Sequence, residues 1–382
     1  LKILFIPVFI GLTSGCLSSA FLYLLNEVTL LREKNPFLLY LLPLFGFLFS
    51  WVIRKIPHHI NQGVPYILEE LNNEKAKVSP WMAPFIFFSS LGTHLFGGSA
   101  GREGVGVIMG ASAAHLLPKL NRSFENLRPY LIYGGMAAGF SSIFGTPLAA
   151  IIFSFELHSF KDLKDYKLLV CTILSSFIAF ATSNYLGPSH QLFQVLFSWS
   201  EVIPYILLSG IISGFGAHFF YWGYKGYTRL ISYLFPRLEI KLGLGSFFIC
   251  FLVIMTNSYQ YLGIGTDFIS QTFVSERTYF DFLMKALLTI MTLSIGFKGG
   301  EVTPLFFMGS ALSNWFCSAL SFKNFGLSSS LGMTALFGAV TATPLASALM
   351  GAELYGWKAG VLCFFGCWIA RFVFGKRCLY RH

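Results

Sequence analysis

The chain has 382 residues, 55% hydrophobic and 12% charged, with 43 phenylalanines. Soluble globular domains carry about 25% charged residues, so this composition excludes an ordinary soluble domain and fits a protein that crosses a membrane many times. The formal charge of +10 does not point to nucleic acid, because no segment is long or polar enough to form an exposed basic domain. Lysines and arginines gathered in cytoplasmic loops account for it.

In chain order, Leu1–Cys16 (LKILFIPVFIGLTSGC) has the outline of a lipoprotein signal ending in a cysteine. The apolar run continues through Leu17–Leu25, however, and is then long enough to span a bilayer. A first membrane helix over 3–25 is therefore expected, with the polar stretch Asn26–Asn35 joining it to a second span over 37–56. Asn61-Gln62-Gly63-Val64-Pro65 opens a short helix that turns polar at Glu69, Glu70, Asn72 and Asn73, too short to cross and so a broken helix. An apolar run over 81–96 leads into Gly97–Gly110 (GGSAGREGVGVIMG), with Glu103 at its centre and a helix from Val105 to near Pro118.

A compact stretch over 131–160 follows, containing Gly134-Gly135 and Phe144-Gly145-Thr146-Pro147-Leu148-Ala149, and then a span over 168–186. After Gly187-Pro188 come an apolar run over 202–224 and a basic stretch, Lys225–Lys241. Spans near 244–258 and 281–296 precede Gly296-Phe297-Lys298-Gly299-Gly300-Glu301-Val302-Thr303-Pro304. The chain continues with apolar runs over 305–320 and 326–340 and final spans ending near Gly375. By charge, His158–Lys167 and Lys225–Lys241 are both cytoplasmic.

The sequence repeats itself. Thr146-Pro147-Leu148-Ala149 with Glu156-Leu157 recurs as Thr343-Pro344-Leu345-Ala346 with Glu353-Leu354, at an offset of 197. Glu103 has a counterpart in Glu301 at 198, and Met109-Gly110 in Met308-Gly309 at 199. A duplicated membrane fold explains offsets this close, and transporters built from such repeats place their substrate sites where broken helices point inward.

Glu103 lies between glycines directly ahead of an apolar run, at the mouth of a membrane helix. A helix N-terminus offers N–H groups and a positive dipole end, which suit an anion. A carboxylate there occupies the anion site when charged and leaves it when protonated. Burial raises its pKa and nearby N–H donors lower it, so a balanced group alternates between plug and proton carrier. The plain alternative is an ion pair with Arg102, but adjacent helical residues do not face one another. Intramembrane acids are costly and by default functional, which brings in Glu301; its plain alternative is to neutralise Lys298. Thr303 adds a hydroxyl donor.

These motifs, in order and spacing, resemble the CLC family of chloride channels and anion/proton antiporters over nearly the whole chain. Gly101-Arg102-Glu103-Gly104 resembles the family's gating-glutamate motif, and Phe144–Ala149 with Glu156 its Asn-Ala-Pro-Leu-Ala helix. Gly375-Lys376-Arg377-Cys378-Leu379-Tyr380 resembles its C-terminal Gly-Lys-Pro-Leu-Tyr segment. Three positions depart from the chloride pattern. Asn61–Pro65 replaces Gly-Ser-Gly-Ile-Pro and so lacks the serine. Gly300-Glu301-Val302-Thr303-Pro304 replaces Gly-x-Phe-x-Pro, and Leu157 stands where the antiporters have an inner glutamate. The strings His94–Gly104 and Gly296–Pro304 are similar to the fluoride-exporting bacterial branch, which also lacks that glutamate.

The resemblance implies an all-α polytopic membrane protein of CLC-type fold. It implies two structurally repeated, inverted halves over 1–190 and 191–382, with short and broken helices and no soluble regulatory domain. It implies a homodimer in a bilayer, with one pathway per subunit, in a bacterial inner membrane. The expected function is fluoride export in exchange for protons; the alternative is a chloride/proton antiporter or passive anion channel of the same fold. Glu103 becomes the gating and proton glutamate, Glu301 the second coupling glutamate and Thr303 its partner. Gln62, Gly63 and Val64 line the anion path by backbone N–H groups or form a simple turn. Gly104, Val105, Val302 and Thr303 are further anion-binding positions, and Tyr380 is either a phenolic donor or an interfacial anchor.

Glu156 and Glu353, at matched helix ends, read as structural or interfacial. The seven cysteines lie mostly in apolar runs without paired spacing and read as buried small hydrophobes, not disulfides. Cys363 and Cys367 share a helix face, but no His or carboxylate joins them as a zinc site requires. The eight histidines, His382 included, have no ligand spacing. No metal, cofactor or nucleic-acid partner is expected. An intramembrane enzyme would need a paired-acid or His/Cys/Ser constellation at helical spacing, and none is present. A membrane scaffold would leave the matched acids without a purpose.

Overall fold

The computed structural model describes residues 2–72, 77–188, 190 and 192–380, with side chains from residue 5; Asn73 and His382 therefore lie outside the described residues. The described chain is helical, and it opens with α1 (Lys2–Lys34), α2 (Leu42–Lys55), α3 (Val64–Asn72) and α4 (Met82–Leu95). There follow α5 (Glu103–Ala114), α6 (Leu116–Leu120), α7 (Arg128–Phe144), α8 (Pro147–His158) and α9 (Tyr166–Leu186). The rest comprises α10 (Val202–Leu234), α11 (Leu238–Thr256), α12 (Thr266–Thr272), α13 (Tyr279–Ile295) and α14 (Val302–Ala319). It closes with α15 (Phe325–Thr341), α16 (Pro344–Tyr355) and α17 (Trp357–Phe374).

Among the described residues, six apolar helical stretches are long enough to cross a bilayer: Phe5–Lys34, Pro36–Lys55, Tyr166–Leu186, Val202–Leu234, Leu238–Thr256 and Trp357–Phe374. Two boundaries differ from the sequence expectation. The stretch Asn26–Asn35 is no loop, because α1 runs on to Lys34, and α10 likewise continues to Leu234 within the basic stretch. Charged residues such as Glu27, Arg32 and Lys225 propagate a helix readily; proline stops it. Pro36 and Pro236 follow the two ends, where Asn35 and Phe235 leave the helical region at φ −130°, ψ 73° and φ −127°, ψ 79°. A third difference lies around Pro118: α5 begins at Glu103, not Val105, and closes at Ala114, with Pro118 inside the separate α6.

The helical order runs twice, and the packing shows it more clearly than the motifs do. In α1, a Cβ placed on Gly11 or Gly15 would lie 2.6 Å from Ile178 or Thr182 of α9. In α10, Cβ atoms at Gly210 and Gly214 would lie 2.8 and 2.5 Å from Ile369 and Val373 of α17. Each glycine pair is a G-x-x-x-G, the spacing that lets two membrane helices approach closely. The second helix pair repeats the same device. Gly110 of α5 abuts Gly135 of α7, where a Cβ would meet the Gly135 carbonyl at 2.1 Å; Gly309 of α14 meets the Gly332 carbonyl of α15 at 2.2 Å.

The turn that follows is also built twice. α7 closes on Gly145 in the left-handed region (φ 75°) and α15 on Ala342 (φ 60°). A threonine and a proline then open α8 and α16. Pro at the first helical position loses no hydrogen bond there.

By contact density the chain forms two compact units, 1–27 with 55–88 and 102–191, and 28–54 with 89–101 and 192–382. Two stretches from the first half of the chain thus belong to the second unit. In the first unit, Ile6, Ile10, Leu117, Leu131, Ala138 and Cys171 form a buried core. In the second, Phe45 stacks on Phe96 and Phe297 with centroids 4.8 and 5.7 Å apart. All seven cysteines are free thiols; six are buried, but Cys16 is exposed, contrary to the expectation for it, because it lies on an outer face of α1.

Candidate functional site

Glu103 is the first residue of α5 and only 1% exposed. Arg102 precedes the helix at φ −113°, ψ −19°, and its backbone N–H donates to Glu103 Oε2 at 3.1 Å. Its guanidinium Nε lies 3.5 Å from Glu103 Oε1. The expectation that neighbouring residues keep these side chains apart therefore fails. Arg102 is the capping residue, outside the helix, and helical spacing does not apply to it. The first backbone bond of the helix runs from Gly106 N–H to the Arg102 carbonyl at 3.1 Å. Gly104 and Val105, both buried, precede it and lie in the turn whose N–H groups have no carbonyl four residues back. An anion or a carboxylate suits that turn.

In the same unit, Val64 begins α3 and Gly63 directly precedes it. Gln62 just before them is extended, and its amide nitrogen lies 3.0 Å from His58 Nδ1 and donates to the His58 carbonyl at 3.2 Å. The side chain is thereby committed to the preceding turn. What this mouth offers is the backbone of Gly63 and Val64.

In the second unit, the strand-like residues ahead of the two glutamates pair. Gly101 N–H donates to the Gly300 carbonyl at 2.5 Å and Gly300 N–H to the Gly101 carbonyl at 2.7 Å. The loop carrying Gly101 is tied further to α13. Ser99 N–H donates to Thr292 Oγ1 at 3.1 Å, and the Ser99 and Thr289 hydroxyls are 2.9 Å apart. His94, fully buried, spans between the Ser90 and Ala100 carbonyls at 2.8 and 3.0 Å. The Ser99 N–H, the paired Ser99 and Thr289 hydroxyls and the two bridge N–H groups are buried and partnered, the condition for a rigid loop inside a membrane protein.

Glu301 caps α14 at φ −97°, ψ −13°, with Val302 and Thr303 buried in the first turn. Leu305 N–H makes the first helical bond, to the Glu301 carbonyl, at 2.9 Å. The repeat register must be corrected here. By backbone position Glu301 matches Arg102, not Glu103, at the offset of 199 that also relates Gly101 to Gly300 and Gly110 to Gly309. The two acids are thus offset by one residue at their helix mouths: Glu103 is the first residue of α5, whereas Glu301 immediately precedes α14. Sequence reading did not single out Tyr224 of α10, which lies within electrostatic range of Glu301; it is one of several tyrosines in the run from Tyr221 to Tyr227, and no motif sets it apart.

Tyr380 is buried, at 8% exposure. The segment leading to it lies against the end of α15, with Leu379 N–H donating to the Val340 carbonyl at 3.0 Å and Cys378 Sγ to the Thr341 carbonyl at 3.1 Å.

A family model described as voltage gated chloride channel matches residues 45–375. A chloride/fluoride channel protein of Pseudomonas syringae pv. tomato is 30% identical over 97% of this chain and 84% of its own length. An H(+)/Cl(-) exchange transporter, ClcA, of Yersinia pestis is 25% identical over 79% of this chain and 67% of its own. Among solved structures, a CLC-type fluoride/proton antiporter superposes with a TM-score of 0.91 at 30% identity, covering 99% of this chain and 96% of that one. A slow cyanobacterial Cl-/H+ antiporter, at 19% identity and TM-score 0.85, shares the fold. On a match that spans most of its length, this multi-pass membrane protein belongs to the CLC family of voltage-gated chloride channels and related transporters.

Proposed function

We propose that the protein is a secondary active transporter that exports fluoride in exchange for protons, acts on no covalent chemistry, and works as a homodimer in a bacterial inner membrane. The observation that carries this reading is a fully buried glutamate, Glu103, opening a helix in a fold similar to that of a CLC-type fluoride/proton antiporter at 30% identity. The Glu301-Val302-Thr303-Pro304 opening of α14 supports fluoride over chloride, since a small hard anion rewards strong hydrogen-bond donors.

Glu103 is assigned the coupling step. Charged, its carboxylate fills the mouth of α5, near the N–H groups of Gly104 and Val105. Protonated, it loses its attraction to the helix dipole, swings away and leaves those groups to an anion. One site thereby serves the proton and the anion in turn. Gln62, Gly63 and Val64 serve through backbone N–H groups in the first unit. In the second, Glu301 is the further coupling acid, Val302 and Thr303 offer N–H and hydroxyl donors, and Tyr380 a phenol. The two repeats are assigned to 1–190 and 191–382.

The test is anion efflux from liposomes loaded with fluoride or chloride. Fluoride leaving far faster than chloride supports the reading. Equal rates favour the chloride antiporter, a function borne by the Yersinia pestis relative in its name.

A further inference from the structure

Two cations of the second unit are buried around one glycine. Lys285 of α13 is fully buried, and its ammonium donates to the Tyr261 carbonyl at 3.0 Å and the Gly263 carbonyl at 2.7 Å. Arg32, in the last turn of α1, has a side chain only 9% exposed. Its Nη1 fills the place that a Cβ on Gly263 would take, so a glycine is required there. The backbone requires one too, since Gly263 adopts φ 62° in the left-handed region. Both cations rest on this one residue, which puts the ammonium and Nη1 about 8 Å apart at most.

The charges around them do not balance. Glu33 accepts from Arg32 Nη2 at 3.1 Å but is half exposed. Asp281, one turn before Lys285, is engaged elsewhere: it accepts from the Tyr261 hydroxyl at 2.6 Å and from the Thr278 N–H and hydroxyl at 2.8 and 3.0 Å. Among the described residues no carboxylate pairs with Lys285. Its closest charged company is alike in sign, because Arg32 lies within electrostatic range of it.

Donors are left over as well. An ammonium has three N–H groups, and carbonyl oxygens take two of them. The Phe307 ring, 5.1 Å from Nζ, is its other neighbour. Arg32 Nη1 is buried without any acceptor. Buried charges are ordinarily met by opposite ones. Two buried cations with unused N–H groups are the setting for an anion.

We propose that Arg32 and Lys285 bind an anion between them, at a site separate from the helix mouths, and that this anion is fluoride. The identification rests on the fluoride reading above. Charged donors favour an acceptor of high charge density. The surroundings favour a small one: a methyl at Gly265 would lie 2.8 Å from Phe307 and 3.4 Å from the ammonium, and one at Gly263 would overlap the guanidinium. Exposure rises from none at Lys285 through 9% of Arg32 to 52% of Glu33, so Arg32 marks the way to solvent.

The site adjoins the segment that ends at the Gly101–Gly300 bridge. His94 of α4 lies within electrostatic range of both cations, and its ring is bonded to the Ala100 carbonyl at 3.0 Å. Fluoride held at Arg32 and Lys285 is therefore concentrated beside that segment, as buried positive charge concentrates an anion.

The test counts fluoride bound per chain, by equilibrium dialysis of the full chain in detergent against sodium fluoride, read with a fluoride electrode. Lys285→Met, close in length but uncharged, should bind one fluoride fewer than the wild type. Arg32→Gln should weaken the same site about tenfold, and Arg32→Lys, which restores the charge, should recover it. Equal loss in the glutamine and lysine variants would show a packing effect and overturn the proposal. Wild-type counts and affinities in Lys285→Met and Arg32→Gln would also overturn it. If Lys285→Met does not fold, the two Arg32 variants decide, because Arg32 lies at the solvent end of the pair. Wild-type protein that releases chloride from liposomes as fast as fluoride would instead overturn the fluoride reading, a result read in a separate assay.

Discussion

Gly101 and Gly300 donate to one another across a two-residue antiparallel bridge, at 2.5 and 2.7 Å, one residue before Glu301 and two before Glu103 in the chain. The link is made by backbone alone and does not depend on side-chain rotamers. Glycine at both places keeps the loops free of side chains where they meet.

The bridge holds its place through the Ser99 loop, which gives a first prediction. Thr292→Val preserves shape but removes the oxygen that accepts the Ser99 N–H at 3.1 Å. A buried N–H without a partner costs about 1–3 kcal/mol. The variant should melt earlier in detergent and transport more slowly, and an unchanged melting temperature and rate would show that α13 does not hold the loop.

The repeated glycine contacts give a second. A methyl at Gly110 would meet the Gly135 carbonyl at 2.1 Å, and one at Gly309 the Gly332 carbonyl at 2.2 Å. Neither carbonyl can move without its helix, so Gly110→Ala and Gly309→Ala should each destabilise by about 2 kcal/mol. Thermal denaturation should rank them together; a large loss in one alone would mean that the two contacts are not equivalent.

How much of this was legible in the sequence depends on what each feature's signal is. The glycines around Glu103 and the Thr-Pro-Leu-Ala repeat are local strings; the twin turns appear where the repeat predicts them, and the helix mouth lies two residues before the expected Val105, at Glu103. The pairing of Gly11 and Gly15 with α9 was visible only as spacing, since a G-x-x-x-G does not name the partner helix. The one-residue slip between Glu103 and Glu301 shows in the sequence only as the difference between their offset of 198 and the 199 of Met109-Gly110 and Met308-Gly309, and the backbone of Gly101 and Gly300 follows the latter. The ends of α1 and α10 are not legible from polarity, because polar residues continue both helices and Pro36 and Pro236 set the stops.

Acid sensitivity follows from His190, in the connection between α9 and α10. Burial and the nearby Arg102 guanidinium pull its imidazole down from 6.5 to about 4. The folded protein therefore resists protonation there while the unfolded chain accepts it. The stability this group contributes is present in full above pH 6.5 and is lost as pH falls toward about 4. His190→Gln should flatten the decline of melting temperature across that window. A decline of wild-type steepness in the variant would assign the sensitivity to other groups.

Glu103 carries the central claim, that one buried carboxylate serves as both anion plug and proton carrier. The direct measurement is simultaneous recording of fluoride release and proton uptake by liposomes containing the wild type or Glu103→Gln. The account predicts proton uptake driven by the fluoride gradient in the wild type and none in Glu103→Gln, since the amide cannot take up and release the proton. Proton uptake of wild-type magnitude in Glu103→Gln would contradict it.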